Sequence, residues 1–300
     1  MRHLLEYAAS WFVLRVLGAL PRPVAHGLAA ALAYLLYGAT PRFRHIAHQN
    51  LRMALPELDD AQRRAVTLGV YRSLGRLLAV CAHFPRFTSE NIRQVVPYDG
   101  LENYQAALAH GRGVLFLTAH LGPWELGAFA HALYGYPIHI VYRPLDNPRL
   151  DRLVNQYRTF SGNKLIDKRD SARGMLAALA KNETVGILAD QNTSLEEGVF
   201  VNFFGIPAST TAGIARVALH SGAAVVPAFC VWDAPSQRFR ILFDKPLELS
   251  GTGDREEDIR VATQQMASIT EQYIRRYPDQ WLWIHRRWKT RPPGEPPLYS

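Results

Sequence analysis

Val114-Leu115-Phe116-Leu117-Thr118-Ala119-His120-Leu121-Gly122-Pro123-Trp124-Glu125 is the stretch that decides how this chain is read. Its apolar run 114–117 is short and follows the turn-like Gly111-Arg112-Gly113, which predicts a buried strand. Pro123 suits the first turn of a helix, where its missing N–H costs nothing. His120 then falls in the turn at the C-terminal end of the strand, and Glu125 in the first helical turn. Open α/β sheets bind ligands in the crevice at strand C-termini, and an imidazole paired there with a carboxylate can take a proton from a hydroxyl group. On one continuous helix a five-residue spacing turns two side chains about 140° apart. The pair therefore works only where His120 precedes the helix and folds back over its start. The same spacing also describes a capping histidine beside a first-turn glutamate that the helix dipole favours, and both readings stand at this point.

Outward from this stretch the pattern alternates. Strands are expected at 138–141, 185–189, 225–231 and 239–243, with an extended segment at 199–204. Between them come helices from Pro123 and over 147–161, 171–179, 209–220 and 254–277. Alternation of this kind builds a mostly parallel central sheet flanked by helices, an α/β fold. It also puts three strand ends on one edge: His120, then Tyr142-Arg143, then Asp190-Gln191-Asn192. Polar residues are common at strand ends, but three such ends with a histidine among them look like a site. Arg158, about three turns into the helix after Arg143, can face the same crevice, although taken alone it reads as a surface arginine.

The N-terminal part differs. Residues 4–20 are apolar but carry Glu6 and Arg15, which makes an amphipathic helix and interrupts any signal-peptide core. Residues 23–41 hold no Asp, Glu, Lys or Arg, yet their solid apolar core, 24–37, is short for a bilayer crossing. They suit a helix lying in the membrane interface, the other reading being a soluble helical hairpin. Asp59-Asp60 signals the start of a longer helix. The expected organisation is a helical, membrane-associating region over 1–88, an α/β core over 89–290 and a proline-rich disordered tail over 291–300.

The chain has 300 residues, 48% of them hydrophobic, enough for a sizeable core. Cys81 and Cys230 form no CxxC or metal-ligand pattern and read as buried free thiols in a reducing compartment. The formal charge of +8 points to anionic partners, but no zinc-finger, RNP or basic-heptad pattern supports nucleic acid. The cations sit among aromatics instead, in Arg42-Phe43-Arg44-His45 and in Trp281-Leu282-Trp283-Ile284-His285-Arg286-Arg287-Trp288-Lys289. That mixture suits a membrane–water interface, or else a C-terminal segment that packs its tryptophans and solvates its arginines. There is no GxSxG, HExxH or Walker A motif, and without an activated nucleophile direct transfer between two bound substrates is favoured over a covalent intermediate.

Ala119-His120-Leu121-Gly122-Pro123-Trp124-Glu125 resembles the H-x4-D/E motif of the lysophospholipid acyltransferase superfamily, and within it the late acyltransferases of lipid A biosynthesis. The likeness runs through residues 41–58 and 141–148, Asp190-Gln191, 198–208 and 283–291. The chain departs from the glycerolipid branch, which has Asn before the histidine, Asp at the acidic position and a Glu-Gly-Thr-Arg block. The resemblance implies an O-acyltransferase that moves a fatty acyl chain from an acyl carrier protein or coenzyme A thioester to a hydroxyl of a glycolipid such as a lipid A precursor. It implies His120 as general base with Glu125 as its partner, and Arg158 and Asp190 as parts of the site beside Tyr142 and Arg143. It requires no metal or resident cofactor, and it places the protein on the cytoplasmic face of the inner membrane. Two other classes remain open: a non-catalytic peripheral protein that binds anionic lipid, and a thioesterase that uses the same pair with water.

Overall fold

The computed structural model describes residues 1–249 and 251–299. Four helices open the chain: α1 (Arg2–Ala19), α2 (Arg22–Ala39), α3 (Pro41–Ala54) and α4 (Asp60–Ala82). Asp59 starts α4 through a capping box, its carboxylate accepting the Gln62 N–H while the Gln62 side chain accepts the Asp59 N–H. The short α5 (Ile92–Val95) and the strand β1 (Tyr98–Asp99) follow. The alternating part comprises α6 (Leu101–Ala109), β2 (Val114–Thr118), α7 (Trp124–Leu133), β3 (Ile138–Tyr142), α8 (Pro148–Thr159), β4 (Lys164–Asp167), α9 (Ser171–Leu179) and β5 (Thr184–Leu188). A hairpin, β6 (Gly198–Phe203) and β7 (Ile206–Thr211), leads through α10 (Gly213–Ser221) to β8 (Ala224–Asp233), β9 (Arg238–Phe243) and α11 (Arg255–Arg276).

Seven strands form one sheet in the order β1-β9-β8-β2-β5-β3-β4. Every neighbouring pair is parallel except β8 and β9, which form a hairpin. Strand β2 is central and buried along 114–117, because helices cover both faces of a parallel sheet. Phe116 faces the layer that holds Phe129 of α7 and Phe243, whereas Leu115 and Leu117 face α9, α10 and α11. The crossover order brings the C-terminal ends of β2, β5 and β3 side by side, and these carry the residues of interest.

Three local expectations differ from the structure. The helix expected from Ser209 begins only at Gly213, because 206–211 pairs with 198–203 as a hairpin. Phe204 and Gly205 turn that hairpin, both with positive φ (55° and 77°), the geometry of tight two-residue turns. Strands β1 and β4 were not expected; they are only two and four residues long, too short to show periodicity. Residues 291–299, expected to be disordered, lie back on the protein. Tyr299 Oη bonds Asn50 Oδ1 at 2.6 Å, and Leu298 and Tyr299 pack on the core cluster that holds the tryptophans. Two anchored side chains at its end outweigh the segment's proline content.

The C-terminal tryptophans are core residues. Trp281, Trp283 and Trp288 are at most 1% exposed, which settles their two sequence readings in favour of packing. Cys81 and Cys230 are free. In the N-terminal region α2 lies along α4 through the buried Ala25, Ala29 and Ala33. By length and composition α4 is apolar enough to span a membrane, but half of that stretch is buried within the protein. The opposite face of α2 and most of α1 leave large apolar side chains in the open, among them Leu5, Phe12 and Leu35, each more than 60% exposed.

Candidate active site

His120 lies in the turn after β2 and before α7, as the sequence requires for a side chain that folds over the helix start. The turn is fixed by its backbone. Gly122 has φ +60°, and a Cβ there would stand 2.3 Å from the Cys230 carbonyl oxygen, so only glycine fits. The Gly122 N–H donates to the Gln280 carbonyl (2.9 Å) and the Leu282 N–H to the His120 carbonyl (3.1 Å). The turn that carries His120 is thus stitched to the segment that follows α11.

The carboxylate that holds the imidazole is Asp190, not Glu125. Asp190 follows β5 and is 3% exposed. Its Oδ1 bonds His120 Nδ1 at 2.9 Å, and its Oδ2 accepts the His120 backbone N–H (3.0 Å) and the Trp281 indole N–H (2.7 Å). Burial works to raise the Asp190 carboxyl, but the adjacent imidazole and these hydrogen bonds outweigh it and hold the group below the ordinary carboxylate value. An ionised carboxylate only accepts, so Nδ1 carries the proton and Nε2 is left as the basic nitrogen. Nε2 has no protein partner among the described residues, and His120 lines a cavity of about 640 Å³. The Trp124 ring stands edge-on to the imidazole, 5.1 Å between centroids.

Glu125 lines the same cavity but is held by Arg158. The guanidinium Nε donates to both carboxylate oxygens at 3.1 Å and Nη2 donates to Oε1 at 2.5 Å. Burial opposes the charge on Arg158, yet the Glu125 charge and hydrogen bonds more than offset it and raise its pKa. The side chain that reads as a surface arginine in the sequence is therefore a clamp inside the groove. It approaches the Tyr142 ring, with its guanidinium carbon 5.9 Å from the centroid. Tyr142 and Arg143 line the groove, and Arg143 also pairs with the exposed Asp146 at 3.1 Å.

The cavity has two parts. Around His120, Glu125, Arg143, Arg158, Gln191 and His285 it is polar. It then runs between α7 and the sheet past Ala128, Ile140 and Gly186 to Phe116, Ile138 and Phe243. From Glu125 to His131, another lining residue, α7 advances six positions, about 9 Å at 1.5 Å per residue. That depth and lining fit an alkyl chain. His131 at the inner end sits in an aromatic cluster with Tyr98, Tyr104, Phe116 and Phe243. Burial pushes it down to about 3, so it is neutral.

Sequence reasoning missed the C-terminal half of the scaffold. Trp281 holds Asp190 directly. The Asn50 side-chain amide donates to the carbonyls of Trp283 (2.6 Å) and His285 (2.7 Å), which fixes the segment against α3. The Asn192 N–H donates to His285 Nε2 at 3.1 Å. The available signal was Trp281 itself, an indole N–H that needs an acceptor once buried.

A histidine–carboxylate pair thus lines an apolar slot at the C-terminal edge of a parallel sheet, an arrangement suited to acyl transfer. Comparison with known proteins agrees. The profile of the family "Bacterial lipid A biosynthesis acyltransferase" matches residues 1–290. The lipid A biosynthesis lauroyltransferase of Escherichia coli K12 is 32% identical over 98% of this chain and 95% of its own length. The palmitoleoyltransferase of the same strain is 31% identical over the same shares. A lipid A biosynthesis acyltransferase of Haemophilus influenzae is 27% identical over 93% of this chain and 88% of its own. The chain belongs to the bacterial lipid A biosynthesis acyltransferases and is an O-acyltransferase.

Proposed function

We propose that this enzyme moves a fatty acyl chain from an acyl carrier protein or coenzyme A thioester to a hydroxyl of a lipid A precursor, with His120 as general base and Asp190 as the group that orients it. The observation that carries this reading is the Nδ1 bond to Asp190, which leaves Nε2 unpaired on the wall of the cavity. Nε2 takes the acceptor's hydroxyl proton, and the oxygen attacks the thioester carbonyl. The carbon–sulfur bond then breaks, and the leaving thiolate takes the proton from the imidazolium, which Asp190 has stabilised meanwhile. A thiolate leaves readily, so no stronger acid is required.

The developing oxyanion needs donors. Arg158 spends Nε and Nη2 on Glu125, and its Nη1 has no partner among the described residues. The first-turn N–H groups of Trp124 and Glu125 lack helical partners as well. In this reading Glu125 fixes the Arg158 guanidinium at the groove rather than touching the imidazole. The apolar slot beneath α7 takes the acyl chain.

The exposed apolar side chains of α1 and α2 support placement on the cytoplasmic face of the inner membrane. Helix α1 packs against α8, and the Asn147 side-chain amide that caps α8 donates to the His3 carbonyl at 2.8 Å and to Glu6 Oε2 at 2.9 Å. The helix that carries Arg158 is thereby tied to the apolar surface. Leu145 and Phe160, at either end of α8, are exposed too. With a net charge of +8, such a surface draws anionic lipids and anionic donors together.

The test is acyl transfer by purified protein from a lauroyl thioester to a lipid A precursor, read by mass spectrometry. The acceptor is expected to gain one ester-linked chain. Release of free fatty acid at a rate the acceptor does not change would instead mark a thioesterase.

A further inference from the structure

Arg287 is buried to 1% exposure and has no carboxylate in ion-pair contact among the described residues. Its Nη1 donates to the Ser209 carbonyl at 2.7 Å and its Nη2 to Thr210 Oγ1, while Nε has no partner. Its guanidinium carbon lies 4.8 Å from the centroid of the Phe203 ring. A buried cation held only by neutral groups is costly, and it persists where an opposite charge lies near. The charge it faces is Asp190. The two side chains border the same small cavity of about 10 Å³, together with Thr210, Thr263 and Thr270. Asp190 thus bonds His120 and shares a small cavity with Arg287.

We propose that Arg287 is a positioning residue for catalysis: its charge offsets that of Asp190 and so keeps the proton off His120 Nε2 in the resting enzyme. This deepens the reading of His120 as the base and rests on it. A buried carboxylate with no cation behind it favours the imidazolium, which cannot accept a proton from the acceptor hydroxyl. With Arg287 in place the carboxylate still orients Nδ1–H and still stabilises the charge that forms during transfer, but it does not hold that charge beforehand.

The other ionisable groups around the pair leave this role to Arg287. Burial pushes His285 down to about 4, so it is neutral. Burial raises Tyr299 to about 12, so it is neutral too, with the Arg286 guanidinium over its ring. Glu125 and Arg158 compensate each other across the groove. At the mouth Arg143 pairs with Asp146 and Lys168 with Glu197, and Lys289 is exposed. Burial lowers Arg287 to about 10, against the pull of Asp190, so it remains charged at neutral pH.

The experiment is the pH profile of kcat/KM for full-length wild type, Arg287→Lys and Arg287→Met, with a lauroyl thioester and a lipid A precursor. Arg287→Met is expected to move the acid limb upward by about one pH unit, the order expected for removing one buried charge beside the carboxylate that holds the imidazole. Arg287→Lys is expected to keep the limb in place even where kcat falls. A limb that stays put in Arg287→Met while the rate or Tm drops would show a merely structural arginine and overturn the proposal. Should Arg287→Met fail to fold, ¹⁵N-histidine NMR of the wild type decides, with His120 assigned by loss of its signal in His120→Gln. A neutral Nδ1–H tautomer at pH 7 supports the role, and an imidazolium overturns it. His120→Ala at the wild-type rate would instead sink the base reading itself.

Discussion

At the scale of single residues, the site is a division of labour between two carboxylates. Asp190 orients the imidazole and Glu125 holds the guanidinium, so the two should respond differently to substitution. His120→Ala is expected to lose about 10²–10⁴-fold in acyl transfer. Asp190→Asn is expected to lose as much, since the amide removes the charge and no longer fixes the Nδ1–H tautomer. Both losses should appear in kcat measured on detergent-dispersed acceptor. Arg158→Lys keeps the charge but not the two-pronged grip, and a displaced oxyanion donor is expected to cost on the order of 10²-fold. A double-mutant cycle over Glu125 and Arg158 should show strong coupling, and one over Glu125 and Asp190 little. His120 and Glu125 were legible in the sequence as members of one site, because a strand end and a helix start bracket them. The partner of His120 was not, because Asp190 lies 70 positions away, and only the parallel register of β2 and β5 sets the two side by side.

At the scale of elements, α7 sets the slot and α1 and α2 set the surface. Ala128 lines the slot between α7 and the sheet. Ala128→Leu is expected to fill part of it and shift the preferred donor to a chain shorter by a few carbons, an extended chain advancing roughly 1.25 Å per bond. Mass spectrometry of the product against a ladder of acyl thioesters checks this, and an unchanged preference would place the chain elsewhere. The exposed faces of α1 and α2 make a second expectation. Phe12→Glu combined with Leu35→Glu should move the protein from the membrane fraction to the soluble fraction while leaving its rate on detergent-dispersed acceptor within about twofold, because neither side chain packs in the core. Long, strongly patterned elements were readable in the sequence: the strands β2, β3, β5, β8 and β9, α4 with its capping aspartate, and the break before α7. The β7 hairpin strand was not, since Ser209-Thr210-Thr211 suits a helix start and a strand alike and pairing with β6 decides.

At the scale of the whole molecule, the C-terminal segment joins the N-terminal helices to the turn that carries His120. Asn50 of α3 holds the segment, Trp281 on it holds Asp190, and its backbone holds the His120 turn. Its tryptophans looked suited to a membrane interface in the sequence because an indole beside arginine serves a core or an interface equally well. The fold also carries an acid sensitivity. Burial depresses His131 to about 3 and His285 to about 4, below the ordinary value of 6.5. Both stay neutral in the folded protein, while the unfolded chain binds protons on them once pH falls below about 6.5. Stability present above that pH is lost progressively between about 6.5 and the folded-state values. The Tm is expected to fall steadily from pH 7 to 4.5, and His131→Phe to fall less over the same range whatever its absolute Tm. A flat Tm in the wild type would contradict the burial of both rings.

The central claim is that one imidazole, oriented by Asp190, activates the acceptor hydroxyl. The measurement that tests it most directly is the single-turnover rate of acyl transfer to the lipid A precursor, followed by mass spectrometry for the wild type, His120→Ala and Asp190→Asn under saturating lauroyl thioester. Both variants are expected to bind donor normally and to form the acylated lipid at least a hundredfold more slowly. Transfer by either variant within a few fold of the wild-type rate would contradict the account.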